Sequence, residues 1–284
     1  MFIPRRIVEE KLREILADDI GIGDVTSAAI IPQNLTVKAE VITKEDGIVA
    51  GIEEVTILVE YLGLKVEAKV ADGERIKNNQ ALMQISGDAQ TILTVERTLL
   101  NLLSRMSGIS TKTHALTEKL EREKLKTRLA ATRKSAPGLL YFDKKAILIG
   151  GGDPHRLHLD DMVLIKDNHL AIVGSVEKAV KKAKANVSFS KKIEVEVTTI
   201  EDALMAANAG ADIVMLDNFS PKQVKEAGEK LRKAGFDKVL LEVSGGITAE
   251  NLINYATTEV DIISMGALTH SVKALDISLE IVKN

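Results

Sequence analysis

Apolar side chains in the N-terminal part of the chain recur with two different periods. Residues 35–41 and 64–70 alternate between apolar and polar positions, which is typical of strands that bury one face. Residues 52–62 and 91–106 instead carry apolar side chains at the spacing of an amphipathic helix. The pattern predicts an α+β domain over residues 1–106, whose last helix links it to the rest of the chain.

From about residue 107 the pattern changes to short apolar segments that alternate with amphipathic ones. This strand–helix–strand order, with short loops, predicts a parallel sheet over residues 107–284. The six strand candidates span residues 128–131, 162–165, 193–197, 213–216, 239–243 and 262–265. A standard α/β barrel has more strands, so a closed barrel and an open doubly wound sheet both fit the pattern.

Capping residues bound the helices between these strands. The sequence Ser-Pro-Lys-Gln at residues 220–223 combines an N-cap, a first-turn proline and a capping-box glutamine. The other predicted end signals are the N-caps Thr199 and Thr248 and the stops Gly210 and Gly235.

Composition excludes several classes of protein and site. With no cysteine, the chain has neither disulfides nor thiolate metal sites. A formal net charge of -3 and an aromatic content of 3% provide no basic field and few stacking platforms for nucleic acid. No apolar run is long enough for a membrane span, and residues 1–14 mix basic and apolar residues as a surface amphipathic helix does. We therefore expect a cytoplasmic protein that binds neither nucleic acid nor membrane.

The predicted carboxyl ends of the strands carry three kinds of residue, sorted in chain order. Ligands of parallel α/β folds bind at these ends. Cations follow the first two strands, carboxylates lie on the next two, and glycines follow the last two. The three groups are Arg133, Lys134, Arg156 and Lys166; Glu196 and Asp217; and Gly245, Gly246 and Gly266. This sorting predicts a ligand-binding site rather than scattered surface charges.

Each group of residues predicts part of the ligand. Four cations favour an anion with several carboxylate or phosphate groups. Glu194 and Glu196 share the inward strand face, where a buried acid needs a compensating charge. Glu196 with Asp217 therefore suggests Mg²⁺ held by oxygen ligands, and the glycine loops suit a phosphate. His155 is predicted to donate a hydrogen bond to an anion, so these features together imply an enzyme for a phosphorylated sugar and a polyanionic partner.

Motifs spread over nearly the whole chain resemble those of a known family. The longest runs from Asp160 to His169, and the others lie at residues 23–26, 96–98, 132–138, 150–156, 194–197, 216–218 and 244–247. Together they resemble the motifs of the quinolinate phosphoribosyltransferases. Gly246 stands where the family often has Asn, Ser135 and Ala136 stand for two threonines, and Met265 stands for Val. None of these departures removes a charged group.

The resemblance implies an N-terminal α+β sandwich followed by an incomplete parallel α/β barrel. The implied reaction transfers a phosphoribosyl group from phosphoribosyl pyrophosphate to quinolinate with decarboxylation. Its products are nicotinate mononucleotide, pyrophosphate and CO₂, in the biosynthesis of NAD. The resemblance also implies a homodimer, or a hexamer of dimers, in which the N-terminal domain of one subunit covers the barrel mouth of its neighbour.

Roles for individual residues follow from the same resemblance. Glu196 and Asp217 would hold Mg²⁺ and would act in catalysis together with Lys134 and Lys166. Arg133, Arg156 and Arg97 of the partner subunit would bind the ring carboxylates, with His155 completing the positive wall. The remaining substrate-binding residues, most of them around the 5′-phosphate, would be Thr132, Ser244, Gly245, Gly246, Ser264, Met265 and Gly266.

Three alternatives remain open at this point. A paralogue of the same fold, such as the molybdenum-transport-associated relatives, would use another acceptor. A nicotinate phosphoribosyltransferase would use a monocarboxylate, which does not need Arg97, Arg133 and Arg156 together. A non-catalytic binding protein on a decayed barrel is disfavoured, because both Glu196 and Asp217 are present.

Overall fold

The structure, a computed structural model, describes residues 3–256 and 259–282. It divides into two compact units, of which the first comprises Met1–His114, Tyr141–Gly151 and Ser271–Asn284 and the second Ala115–Leu140 and Gly152–His270. The elements in chain order are α1 (Arg5–Ile20), α2 (Val25–Ile30), β1 (Thr36–Thr43), β2 (Gly47–Ile48), α3 (Ile52–Tyr61), β3 (Lys65–Ala68), β4 (Arg75–Ile76), β5 (Ala81–Asp88), α4 (Ala89–Arg122), β6 (Arg128–Ala130), α5 (Leu140–Ile149), β7 (Val163–Ile165), α6 (Asp167–Val173), α7 (Val176–Asn186), β8 (Ile193–Val197), α8 (Ile200–Ala209), β9 (Ile213–Asp217), α9 (Pro221–Lys233), β10 (Leu240–Ser244), α10 (Leu252–Tyr255), β11 (Ile262–Ser264), a 3₁₀ turn (Gly266–Leu268) and β12 (Ile277–Ile281).

The first unit is built on a four-stranded antiparallel sheet in the order β12-β1-β5-β3. The alternation predicted for residues 35–41 is confirmed, because β1 buries Ala39, Val41 and Thr43 on one face. The C-terminal strand β12, which the apolar pattern did not reveal, pairs antiparallel with β1. The sheet of this unit therefore includes a strand from the far end of the chain, and the predicted domain boundary at residues 106 and 107 stays a prediction.

The N-terminal helix α1 packs against α3 in the same unit. It buries Val8, Leu12 and Leu16, which lie one helical turn apart, and exposes its basic residues. This confirms an amphipathic helix in the segment predicted for residues 1–14, although the helix begins only at Arg5, and residues 1 and 2 lie outside the described residues. None of the helices that the structure describes is long and apolar enough to cross a membrane.

The linker helix is longer than predicted. α4 has 34 residues and runs to Arg122, so the expected end of helical structure near residue 107 is wrong. Ile109, Leu116 and Leu120 continue the helical apolar spacing and are buried. Gly108 lies inside the helix instead of ending it. A glycine is required there because a Cβ at this position would overlap the carbonyl oxygen of Lys273. The glycine therefore permits a close backbone approach rather than a turn.

A buried ion network joins α3 and α5 in the first unit. Nζ of Lys145 donates to Glu53 and Glu54 at 2.5 and 2.6 Å and lies 3.7 Å from Asp72. The side chains of Lys145 and Glu54 are 7% and 0% exposed. Burial raises the pKa of Glu54, and the ion pair with Lys145 opposes that rise. The stability of this network therefore depends on the ammonium group.

Replacing Lys145 with methionine is expected to lower the free energy of unfolding by about 3–5 kcal/mol, because the buried carboxylate of Glu54 would lose its partner. Loss of the ammonium also raises the pKa of Glu54 further, so the folded variant retains a proton that the unfolded chain has released. The destabilisation should therefore be larger at about pH 8 than at about pH 5, as denaturant titrations at both pH values would measure.

Lys44→Met is the matched control for this prediction. Lys44 forms an ion pair with Glu280 at 2.7 Å in the same unit, but the two side chains are 34% and 54% exposed. Such surface pairs contribute at most about 1 kcal/mol. Equal losses of stability for the two variants would show that the buried network does not depend on Lys145.

The second unit contains a six-stranded sheet in the order β6-β11-β10-β9-β8-β7, and every pairing in it is parallel. All six strand candidates from the sequence are confirmed to within two residues at each end. The strands from β7 to β11 lie side by side in chain order without a reversal. β6, the first of the six strands of this sheet, pairs with β11, the last of them. A doubly wound sheet would reverse its order at a switch point, so this topology is that of an α/β barrel.

The barrel is incomplete between β6 and β7, which do not pair in the described residues. The segment around Asp153 lines part of this gap, because its N–H donates to Leu129 at 2.8 Å and its carbonyl accepts from Ala131 at 2.9 Å. This contact brings the residues that follow Asp153 to the edge of the barrel. It is the structural reason why His155 and Arg156 reach the strand ends.

Most of the predicted helix ends are confirmed. The Ser220 and Gln223 capping box, Pro221 in the first turn and the N-cap Thr199 are present as expected. Gly210 and Gly235 follow their helices with φ of 93° and 85°. Thr248 caps the turn before α10 rather than α10 itself, which begins at Leu252. Its Oγ1 accepts from the N–H of Asn251 at 3.4 Å, and its own N–H donates to Oδ1 of Asn251 at 2.7 Å.

Candidate active site

A cavity of about 550 Å³ opens at the carboxyl ends of the barrel strands. It brings together most of the residues that the sequence placed at those ends, from both the cationic and the acidic groups. The predicted residues that line it are Thr132, Arg133, Lys134, His155, Arg156, Lys166, Glu196, Asp217, Ser244, Gly245, Gly246 and Ser264. The strand ends therefore predicted which residues meet in this cavity, and the roles of these residues stay predictions.

The cavity is lined by four cations, which together we call the cationic wall: Arg133, Lys134, Arg156 and Lys166. Burial and the positive charge of Arg133 lower the pKa of Arg156. A half-buried guanidinium on Arg156 beside the like charge of the exposed Arg133 is an arrangement suited to binding an anion. Lys134 is held through its backbone, since the Thr269 hydroxyl donates to its carbonyl oxygen at 2.7 Å.

Glu196 and Asp217 lie near the ends of the neighbouring strands β8 and β9 and face the same cavity. Nζ of Lys166 lies 2.9 Å from Oε2 of Glu196, whose side chain is 16% exposed. Nδ2 of Asn218 donates to Asp217 at 2.7 Å. Two carboxylates with few protein partners are the hard oxygen donors that Mg²⁺ takes alongside phosphate oxygens. The residues present therefore fit a magnesium ion.

The loop after β10 presents its backbone to the cavity. Gly245 and Gly246 have φ of 87° and 62°, and a Cβ on Gly245 would overlap the side chain of Asn218. The family often has Asn at the position of Gly246, and both residue types adopt positive φ readily. Oγ of Ser264 is buried without a hydrogen-bond partner among the described residues, and Ser244 lies beside it in register. These groups are donors that a phosphate could accept from.

Three predicted residues do not line the cavity. Met265 is 2% exposed, and Gly266 begins the 3₁₀ turn, where a Cβ would lie 3.0 Å from Cδ of Lys134. The roles of both residues in substrate binding stay predictions. Arg97 is exposed on α4 in the first unit, and its assignment to the site of a partner subunit stays a prediction.

Below the cationic wall, three titratable side chains meet inside the barrel. Nε2 of His155 lies 3.1 Å from Glu242 and 3.4 Å from Glu194, and both acids are fully buried. Burial, and then the charge of Glu242, raises the pKa of Glu194 to about 8. The prediction that Glu194 points inward is confirmed. The expected contact of His155 with an anionic ligand stays a prediction, since the structure gives its Nε2 two carboxylate neighbours.

The sequence did not identify five residues that line the cavity as site residues: Ala131, Leu164, Met215, Asn218 and Glu242. A signal for Glu242 was available, because it alternates with the buried Leu241 and Val243 in β10 as Glu194 and Glu196 alternate with valines in β8. An acid between two core residues of a barrel strand points to the interior. The same argument applied to β10 would have predicted it.

Comparison with known proteins finds similarity along the whole chain. The family models described as quinolinate phosphoribosyl transferase, N-terminal domain and C-terminal domain, match residues 24–107 and 109–280. A relative from Methanocaldococcus jannaschii, named probable nicotinate-nucleotide pyrophosphorylase (carboxylating), is 48% identical over 276 residues, or 96% of both chains. A relative of the same name from Methanothermobacter thermautotrophicus is 44% identical over 271 residues, covering 95% of this chain and 97% of its own.

Solved structures show the same similarity. The structure of the nicotinate-nucleotide pyrophosphorylase from Francisella tularensis superposes with a TM-score of 0.89 at 38% identity, covering 99% of this chain and 98% of its own. The C-terminal family match at residues 109–280 contains every residue that lines the cavity.

Proposed function

The chain belongs to the quinolinate phosphoribosyltransferase family, and on that premise we propose how its strand-end cavity binds the two substrates. The chain is an enzyme that transfers a phosphoribosyl group to quinolinate with decarboxylation, a reaction of NAD biosynthesis. The name of the relatives, which ends in "carboxylating", describes the same reaction from the product side. The small-molecule substrates are quinolinate and phosphoribosyl pyrophosphate.

Quinolinate would bind the cationic wall through its two ring carboxylates. The observation that supports this most strongly is that Arg133, Lys134 and Arg156 line one cavity. Burial and the charge of Arg133 lower the pKa of Arg156 there. A bound dicarboxylate would remove that repulsion and accept bidentate hydrogen bonds from both arginines. The same positive charges would stabilise the negative charge that develops on the ring carbon during decarboxylation.

Phosphoribosyl pyrophosphate would bind at the carboxyl ends of the strands that carry the two carboxylates and the glycine loop. Glu196 and Asp217 would hold Mg²⁺, which supplies positive charge to a pyrophosphate leaving group when bound. Lys166, paired with Glu196 at 2.9 Å, would bring a second positive charge to the same leaving group. The 5′-phosphate would accept hydrogen bonds from the loop at Gly245 and Gly246 and from the serine hydroxyls beside it.

The remaining predicted site residues would support the binding of the two substrates. Lys134 would contribute to catalysis from the end of the first barrel strand, with its backbone fixed by Thr269. Thr132 accepts a hydrogen bond from the N–H of Lys134 at 3.1 Å, which supports a role in shaping that turn. Met265 and Gly266 would keep the 5′-phosphate loop in place through packing rather than contact.

We further propose a homodimer, alone or as part of a hexamer of dimers, that works in the cytoplasm. Arg97 is an exposed cation on a helix of the first unit, which suits a residue offered to a neighbouring subunit. Its guanidinium would complete the set of arginines around the quinolinate carboxylates. An assembly of this kind would make each site depend on two chains.

A direct assay tests the proposed function. The purified protein is mixed with Mg²⁺, phosphoribosyl pyrophosphate and quinolinate, and the release of nicotinate mononucleotide and CO₂ is followed, with nicotinate as a parallel substrate. We expect product from quinolinate and none from nicotinate, because a monocarboxylate leaves part of the cationic wall unpaired. Product from neither substrate, in a folded sample, would instead favour a paralogue with a different acceptor acid.

A further inference from the structure

We propose that Glu242 is a positioning residue that holds the His155 ring in its cationic form beside the quinolinate site. The inference rests on the family reaction stated above and extends it to a residue inside the barrel. Glu242 would not contact the reacting atoms. Its effect would reach quinolinate through the charge and orientation of His155.

The first observation is that two acids from different strands face one ring nitrogen. Nε2 of His155 lies 3.1 Å from Oε2 of Glu242 on β10 and 3.4 Å from Oε2 of Glu194 on β8. When Glu242 is ionised, its Oε2 can only accept, so Nε2 of His155 donates the hydrogen of this contact. This edge of the ring is therefore turned to the barrel interior, and its orientation is fixed from below the cavity.

The second observation is that these two buried carboxyl groups accept few hydrogen bonds. Glu194 and Glu242 are both 0% exposed. In the part of the chain that the structure describes, Oε2 of Glu242 is their one oxygen with a hydrogen-bond partner, and that partner is His155. Burying a carboxylate without a partner is costly, so Glu242 favours a positive charge on the neighbouring ring.

The third observation concerns the backbone of His155. Its φ is 53°, in the left-handed region that residues other than glycine rarely adopt. The strained residue is held by Oδ1 of Asp153, which accepts from the N–H of His155 at 2.7 Å. Asp153 is itself fixed at the gap in the barrel by its contacts with β6. Strain kept at a residue that lines a ligand cavity supports a functional placement of its side chain.

These observations have a consequence for substrate binding. His155 lines the same cavity as Arg156 and Lys166, and another cation so close to them would be repelled unless negative charge lay behind it. Glu242 supplies that negative charge from inside the barrel. The imidazolium can then add to the attraction for a dianion, so the quinolinate affinity should depend on Glu242.

The first test is the variant Glu242→Gln, which keeps the size of the side chain and one oxygen acceptor but removes the charge. We expect the KM for quinolinate to rise about 10- to 100-fold, the loss expected where a hydrogen bond between charged groups is weakened. The KM for phosphoribosyl pyrophosphate should change little. Equal rises for both substrates, or an unchanged KM for quinolinate, would overturn the proposal.

A double-mutant cycle shows whether Glu242 acts through His155. The variants are His155→Asn, Glu242→Gln and the two combined. If Glu242 serves only to hold the ring, the combined variant should lose no more quinolinate affinity than His155→Asn alone. Losses that add would mean that Glu242 contributes independently, and the positioning role would be wrong.

A measurement on the wild type avoids any dependence on how the variants fold. Nitrogen NMR of the five histidines, with His155 assigned from the His155→Asn spectrum, reports the protonation of each ring nitrogen. We expect both nitrogens of His155 to carry hydrogen at about pH 7, and the ring to be neutral in Glu242→Gln. A neutral His155 ring in the wild type would overturn the proposal.

The charged groups around the ring come from several segments and all enter the interpretation of that spectrum. They are Glu194 from β8, Glu242 from β10, Lys166 after β7, and Asp153 and Arg156 on the segment of His155 itself. Turnover of quinolinate by the wild type is checked first. Its absence would count against the proposed function, whereas normal wild-type turnover with an unchanged Glu242→Gln variant counts against the positioning role alone.

Discussion

Replacing Asp217 with asparagine is expected to lower kcat/KM by at least about 100-fold, because removing one group that stabilises charge in a transition state costs about that much. Asparagine keeps the shape of the side chain but lacks the negative charge that draws Mg²⁺ to an oxygen ligand. The fold should survive, since the backbone of β9 pairs with β8 and β10 independently of this side chain.

The measurement for Asp217→Asn is the initial rate as a function of Mg²⁺ concentration. We expect the half-saturating concentration to rise together with the fall in rate, because a lost ligand weakens metal binding. Asp237→Asn is the control, since Asp237 is exposed in the turn before β10 and outside the cavity. A variant at Asp217 with the wild-type rate and the wild-type Mg²⁺ dependence would refute the proposed metal site.

Replacing Arg133 with alanine should abolish measurable turnover of quinolinate while leaving the fold intact. The side chain is exposed in the cavity, so its partners are expected to be ligand atoms rather than core residues. Truncating one member of a close charge pair with a ligand costs about 2–5 kcal/mol, and more where the arginine also acts in the transition state. Activity and thermal unfolding measured on the same sample separate the two effects.

Two further variants make this prediction sharper. Arg122→Ala is the matched control, because Arg122 ends α4 outside the cavity and its side chain is 73% exposed. Arg133→Lys keeps the charge but loses the planar fork that binds a carboxylate through two hydrogen bonds, so it should recover only part of the activity. Near-normal turnover by Arg133→Ala would remove the basis for a dicarboxylate substrate in this cavity.

The barrel strands could be predicted closely from sequence because their physical signal is local. Each of them is a short apolar run between capped helices, and the polar residues that end the runs are the ones that line the cavity. Strand closure could not be predicted in this way. Whether β6 pairs with β11 depends on contacts between residues far apart in the chain, which apolar periodicity does not report.

The same distinction explains what was missed. Glycine is a residue type that commonly ends helices, but Gly108 lies within α4. It permits the close approach of the backbone at Lys273, which lies far away in sequence. Glu242 was within reach of a pattern argument, and its partnership with His155 was not, since β10 and the segment after the first barrel strand meet only in the folded barrel. Residues that point into the barrel were therefore predictable, and their contacts with residues of other strands were not.

The pairing of β1 with β12 constrains how this protein can fold during its own synthesis. A ribosome releases β1 early, but the strand that covers one of its edges is the last in the chain. Until residues 277–281 emerge, that edge exposes unpaired N–H and C=O groups, which are a template for pairing with other nascent chains. The sheet of the first unit is therefore completed only after the whole barrel has been translated. Until then, the unpaired edge of β1 is the part of this sheet that a chaperone would need to cover.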